Sequence, residues 1–158
     1  MAIMDDQRIL LTQEGLTELK VEFDELKNVK RPKAVKRLAD AKAEGDLKEN
    51  SEYSAAVEDL SFIDGRISEL EEILKHAKVA KAPSKGHKLI EIGSKVLVHA
   101  DGKEHTFNIV GEWEADPREK KISHSSPLGK ALVGKRKGDE VEVDAPAGKV
   151  KYKILDIK

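Results

Sequence analysis

The clearest pattern in the chain is a run of apolar positions at alternating three- and four-residue intervals: Tyr53, Ala56, Leu60, Ile63, Ile67, Leu70 and Leu74. That spacing draws one apolar stripe along a helix and is the seam of a coiled coil. An earlier stretch carries a similar rhythm in Leu16, Leu19, Phe23 and Leu26, and resumes it after an interruption at Ala34, Leu38 and Ala41. Thr12 suits the N-cap of this first helix, with Glu14 in the first turn where a carboxylate complements the helix dipole. The interruption is Arg31-Pro32, and a proline at that place predicts a kink or a brief break. Gly45-Asp46 then offers a helix-ending glycine at which the chain can reverse. Two helices joined by so few residues lie antiparallel, each covering the stripe that the other cannot leave in water. With arms of roughly 25 to 30 residues and about 1.5 Å of rise per residue, the pair forms a rod on the order of 40 Å long.

The heptads stop after His76, and Ala82-Pro83-Ser84-Lys85-Gly86 has the composition of a linker. Beyond it the period changes to two. Val96 and Val98, Phe107 and Ile109, Val141 and Val143, and Val150, Tyr152 and Ile154 alternate with other residues, as half-buried strands do. Asp101-Gly102, Asp116-Pro117, Gly138-Asp139 and Pro146-Ala147-Gly148 supply the turns. Pro127 to Leu132 suits a short helix with Ser126 as its cap. The expected architecture is α+β in two domains: an antiparallel α-helical coiled-coil hairpin over residues 1–81, a linker over 82–87, and a small domain over 88–158 with one helix against an antiparallel sheet.

Composition sharpens this picture. Of the 158 residues 37% are charged and only 4% aromatic, which favours solvent-washed helices over a large interior. Residues 1–82 carry a net charge of −4 and residues 83–158 one of +3, so the overall −1 hides an acidic first part and a basic second. Any contact with nucleic acid is therefore local or made through a partner. The absence of cysteine excludes disulfides and thiolate metal sites. No leader pattern and no long apolar run occurs, so a soluble, cytoplasmic protein is expected. The five histidines show no paired ligand spacing, and neither a phosphate-binding G-x-x-x-x-G-K-[ST] loop nor a G-x-S-x-G elbow is present.

The candidate chemistry sits where the helices reverse, in Gly45-Asp46-Leu47-Lys48-Glu49-Asn50-Ser51-Glu52-Tyr53. Three carboxylates fall within seven residues, and Asp46 and Glu49 are three apart. Such oxygen ligands suit Mg²⁺, which takes one or two protein carboxylates and fills its other positions with water or phosphate oxygens. A structural explanation stands beside this one: Asp46 or Asn50 can cap the second helix, while Glu49 or Glu52 favours its dipole.

This nine-residue run resembles the tip signature of GreA-type members of the Gre family, bacterial transcript-cleavage factors. The likeness continues in Leu11 to Gly15, Lys30-Arg31-Pro32, Phe62 to Ile67, Ile109 to Gly111, Glu114 to Asp116, Ile122-Ser123, Ser126 to Lys135 and Gly138-Asp139, in the family's order. It implies that the coiled coil enters the secondary channel of bacterial RNA polymerase. There Asp46 and Glu49 would hold a Mg²⁺ shared with the polymerase's own aspartates and so promote two-metal hydrolysis at the nascent RNA 3′ end. Gly45, Leu47, Lys48, Asn50, Glu52 and Tyr53 would support the tip. The C-terminal domain would be FKBP-like and grip the channel rim through Ser126, Pro127 and Leu128, although Ser-Pro before a short helix is also ordinary capping. The factor itself would be a monomer that donates ligands, not an enzyme, and would have no membrane partner.

Lys27, Lys30, Arg31, Lys33, Lys36 and Arg37 crowd positive charge around the proline. They form either a solvated face or an electrostatic guide toward an acidic channel or extruded RNA. One departure from the family is Val57, followed by Glu58 and Asp59, where these factors often carry a basic residue facing RNA. Two rival functions are a channel-binding regulator that does not cleave, and a chaperone or prolyl isomerase with a coiled-coil arm. The tip carboxylates separate them from the leading reading.

Overall fold

The computed structural model describes residues 9–45 and 50–158, which form two units: residues 9–16 with Ala77–Lys158, and Thr17–His76. In chain order the elements begin with β1 (Ile9–Leu11), α1 (Gln13–Glu25), a five-residue π turn (Leu26–Lys30), α2 (Arg31–Ala43), α3 (Ser51–His76) and β2 (Ala77–Val79). They continue with β3 (Lys95–Ala100), β4 (Lys103–Val110), β5 (Lys121–Ser123), α4 (Pro127–Leu132), β6 (Glu140–Ala145) and β7 (Gly148–Ile157). The α+β class and the helical hairpin agree with the sequence pattern.

In the helical unit the seam is the predicted one. Leu19, Leu26, Ala34 and Ala41 from the first arm and Ala56, Ile63 and Leu70 from α3 are buried, joined by Ile73. Tyr53, Leu60, Ile67 and Leu74 are half-buried between them. The direction of packing is fixed by polar pairs that flank the seam. Arg66 grips Glu22 through two parallel bonds of 2.7 and 2.9 Å, Arg31 meets Asp64 at 2.6 Å, and Arg37 reaches Asp59 at 3.8 Å and Glu52 at 2.6 Å. Positions rise along the first arm as they fall along α3, so the arms are antiparallel.

At Arg31-Pro32, where a kink or a brief break was expected, the helix does not break but widens by a π turn. The Arg31 amide donates to the Leu26 carbonyl, five residues back, while Glu25, Lys30 and Arg31 all keep right-handed helical dihedrals. Proline has no amide to donate, and its ring crowds the carbonyl of the preceding turn; widening that turn relieves both without ending the helix. The sequence demands the same insertion. Along the seam the steps from Leu19 to Leu26, Ala34 to Ala41, Ala56 to Ile63 and Ile63 to Leu70 are each seven residues, whereas Leu26 and Ala34 stand eight apart. One π turn absorbs the extra residue and brings Ala34 back to the seam.

The C-terminal unit holds a five-stranded sheet in the order β5-β4-β3-β7-β6. Val96, Val98, Phe107, Ile109, Val141 and Ile154 line one face and pack with Ile90 and with Leu132 of α4. The sheet is mixed, not purely antiparallel as the sequence suggested, because β5 runs parallel to β4 through the pairs Asn108–Lys121, Ile109–Ile122 and Val110–Ser123. Residues 111–120 lie between them and form two short 3₁₀ turns, Glu112–Glu114 and Pro117–Glu119, a connection long enough to return the chain instead of folding it into a hairpin. On β6 and β7 the pairs Glu140–Lys153, Glu142–Lys151 and Asp144–Lys149 set opposite charges directly across from each other, which reinforces one register.

A second, two-stranded sheet pairs β1 with β2 in parallel. Next to it the Glu114 carboxylate gathers donors around the start of α1. Its Oε2 accepts from the Thr12 amide at 2.7 Å and the Gly111 amide at 3.0 Å, and its Oε1 accepts from the Thr12 hydroxyl. Thr12 Oγ1 in turn accepts from the Gly15 amide at 3.0 Å, which makes it the expected N-cap. Only glycines leave room for this cluster: a Cβ on Gly15 would lie 1.9 Å from Glu114 Oε1, and one on Gly111 would lie 2.0 Å from the Leu10 carbonyl oxygen.

Gly111→Ala is therefore expected to destabilise the C-terminal unit by about 1–3 kcal/mol, since backbone must move to admit the methyl. Gly65→Ala, in the middle of α3 with open space around it, is expected to gain up to about 1 kcal/mol from helix propensity. Urea unfolding of the two variants, followed by circular dichroism, checks both signs.

Candidate functional site

The turn between α2 and α3 is built from its two ends. α2 finishes with Glu44 and Gly45, whose amides donate to the carbonyls of Ala41 and Lys42 at 3.3 Å each and so tighten the last turn. Gly45 has φ +116°, a left-handed conformation that strains any other residue. Asp46, Leu47, Lys48 and Glu49 lie outside the described residues, and the account of the turn resumes at Asn50.

Asn50 is the cap of α3. Its Oδ1 accepts from the amides of Glu52 at 3.0 Å and Tyr53 at 3.1 Å, and its own carbonyl accepts from the Ser54 amide at 3.1 Å. Its Nδ2 donates across the hairpin to the Ala41 carbonyl at 3.0 Å. Just behind it, Arg37 donates from Nε to Glu52 and places Nη1 near Asp59, one side chain of α2 touching α3 at two positions seven residues apart. Tyr53 is half-buried in the seam. The hydrogen bond from Arg37, and then its charge, hold the Glu52 carboxyl below the ordinary carboxylate value.

Half of the basic cluster is already engaged. Arg31 forks onto Asp64, Lys36 pairs with Asp40 one turn on at 3.0 Å, and Arg37 is held by Glu52 and Asp59. Lys27 lies over the Phe23 ring, 5.6 Å from its centroid. Lys30 and Lys33 are exposed. Val57 is also exposed on α3 and offers no charge there.

In the C-terminal unit Ser126 caps α4: its Oγ accepts from the Gly129 amide at 3.0 Å and donates to the Ser123 carbonyl at 2.7 Å, with Pro127 in the first turn. Leu128 packs against the core. Phe107 of that core and the half-buried Tyr152 pack edge to face with centroids 6.5 Å apart. Sequence reasoning missed the second bond of Asn50, the double engagement of Arg37 and the role of Glu114. The opposite charges of Arg37 with Glu52 and Asp59 were a visible signal once the antiparallel register was set. Nothing local marks Glu114 as the partner of Thr12.

Known proteins resemble the chain over both units. Residues 9–79 match the family described as the transcription elongation factor N-terminal domain, and residues 85–158 the one described as the GreA/GreB transcription elongation factor C-terminal domain. Transcription elongation factor GreA of Clostridium acetobutylicum is 43% identical over 155 residues, covering 97% of this chain and 98% of that protein. Its counterpart in Thermoanaerobacter pseudethanolicus is 46% identical over 152 residues, 95% of this chain and 97% of that protein. The solved structure of GreA factor homolog 1 (Gfh1) of Thermus thermophilus is 29% identical, covers 96% of this chain and 99% of that one, and gives a TM-score of 0.45.

The Glu52 pair predicts a pH dependence. A carboxyl whose folded-state pKa is depressed contributes stability that is present above its unfolded value and lost as pH falls through the folded one. The helical unit should therefore lose stability as pH drops below the ordinary value of 4.5. Glu52→Gln should show a shallower loss over that window, measured as urea midpoints of the helical signal at a series of pH values.

Proposed function

Because this chain belongs to the GreA/GreB family of transcription elongation factors, we propose that it acts on bacterial RNA polymerase and promotes cleavage of backtracked RNA at the polymerase's own catalytic centre. The observation that carries this reading is the segment at which two antiparallel helices reverse: between Gly45 and Asn50 the chain carries Asp46 and Glu49. Two packed helices, each roughly 10 Å across, form a probe slender enough for a channel that excludes a globular domain. The family likeness supports the secondary channel as that route and the neighbourhood of Ser126, Pro127 and Leu128 as the contact with its rim.

At the catalytic centre Asp46 and Glu49 offer hard oxygen donors, which fit Mg²⁺ and leave most of its positions to the polymerase, water and RNA phosphate. When bound there, Mg²⁺ activates the attacking water and offsets charge on the departing oxygen. The water oxygen bonds to phosphorus as the bond from phosphorus to the upstream 3′ oxygen breaks. A short fragment leaves with a 5′ phosphate, and the retained RNA gains a 3′ hydroxyl in register. The factor contributes ligands and their placement, and the polymerase performs the reaction. Lys27, Lys30 and Lys33 add positive charge along one arm that favours entry past acidic walls or attracts extruded RNA. No helix among the described residues is long and apolar enough to cross a membrane, and a cytoplasmic site of action follows from the partner proposed.

The test uses backtracked transcription complexes with Mg²⁺ and scores the short 3′ fragments. Asp46→Ala and Glu49→Ala are each expected to slow cleavage at least about tenfold while still binding polymerase. Parental rates in both variants would remove the assigned chemistry, and cleavage of free RNA without polymerase would remove the ligand-donor role.

A further inference from the structure

We propose that the C-terminal unit binds the phosphate tail of a nucleoside di- or triphosphate in a hollow of about 300 Å³ lined by His87, Lys88, Arg136, Lys137, Asp156 and Ile157. All six residues belong to that unit, so the site depends neither on the helical hairpin nor on the cleavage reading.

The main chain brings the cations together. Leu89 and Arg136 form an isolated antiparallel bridge, and the Ile90 amide donates to the Lys135 carbonyl at 2.9 Å. In that register the next pair outward is Lys88 with Lys137, two like charges set across from each other. Such opposition is destabilising. The neighbouring sheet avoids it, for β6 sets an acid across from each of Lys149, Lys151 and Lys153. Among the described residues none of Lys88, Arg136 and Lys137 makes an ion pair. Asp139, close by in sequence, turns to the backbone instead, where its Oδ2 accepts from the Arg136 amide at 2.8 Å. A cluster of cations held together without acids is a standing invitation to an anion.

His87 anchors the segment that presents Lys88. Its Nδ1 lies 3.1 Å from the Ser84 carbonyl, which can only accept, so Nδ1 carries the proton. In the neutral ring Nε2 then accepts from the Ser94 hydroxyl 2.9 Å away, and the same hydroxyl oxygen takes the Glu91 amide at 2.9 Å. Ser94 is fully buried, so this chain of bonds is rooted in the interior.

Charge and shape together select the ligand. Two lysines offer point charges and Arg136 a planar fork, which suit several phosphate oxygens close together. An extended nucleic-acid strand fits less well, because the half-buried Asp156 lines the same hollow and repels a further phosphate. A nucleotide meets Asp156 with hydroxyl or amino groups that donate to it, and meets the half-buried Ile157 with the face of its base.

The test titrates the full chain, without polymerase, with ATP in metal-free buffer at low salt and follows the backbone amides by nuclear magnetic resonance. Shifts are expected at residues 87–89, 135–138 and 156–157. Lys88→Gln and Lys137→Gln together should weaken binding at least about tenfold, since each lysine supplies a charge-assisted bond. Lys103→Gln, on β4 and not lining the hollow, should leave affinity within about twofold. ATP is expected to bind the parent at least as tightly as inorganic tripolyphosphate despite its lower charge. Asp156→Ala should tighten tripolyphosphate by removing a like charge and leave ATP the weaker of the two. Shifts elsewhere in the chain, or unchanged affinity in the double variant, would overturn the site. Tripolyphosphate binding the parent more tightly than ATP would overturn the nucleotide as ligand. A short single-stranded RNA that displaces ATP at a lower phosphate concentration would overturn it in favour of a nucleic-acid strand. If the double variant loses its native circular dichroism, Arg136→Gln alone decides, by weakening ATP binding severalfold or failing to.

Discussion

Mutual burial of two apolar stripes is the constraint on which the helical unit depends. Neither arm could keep Leu19, Leu26, Ile63 and Leu70 in water, and these residues lie at the shared seam. Everything polar in the unit is arranged around that seam. The arginine forks at positions 31, 37 and 66 lie beside it and select the antiparallel register, while the exposed faces carry charges that keep the helices solvated. Small residues such as Ala34, Ala41 and Ala56 allow close approach nearer the turn, where a thin profile matters for the proposed insertion.

Much of this was legible in the sequence because period is a direct readout of burial. The 3-4 spacing of α3, the strands with alternating valines, the Ser126 cap and the Thr12 cap all appear where their patterns indicate. The π turn was legible in principle, since an eight-residue interval cannot fit a seven-residue frame, but the proline drew attention to breakage instead. β1, β2 and β5 have three residues each, too few to show a period, so their pairing follows from tertiary neighbours alone. The parallel run of β5 escaped for the same reason. Glu114 and Thr12 are 102 positions apart, and no local rule connects them.

At the turn the sequence named the acidic residues and left two explanations for its polar ones. Asn50, one of the two caps that the sequence offered, caps α3, and Glu52 is taken up by Arg37. The cap of α3 is made by Asn50, so the chemistry proposed for Asp46 and Glu49 does not require either of them to make it. Spacing alone could not say which residue caps α3, because distance within a sequence says that groups are near without saying which hydrogen bond each one makes.

The ladder of Glu140, Glu142 and Asp144 has a meaning beyond the register it fixes. β6 ends its sheet, so among the described residues one side of its backbone has no neighbouring strand. An unsatisfied strand border invites pairing with a second molecule, and successive acidic side chains along it repel an identical border brought alongside. The molecule thus carries, on the unit farthest in sequence from its reversing turn, a guard against growing into ribbons of itself at the concentrations a cell maintains.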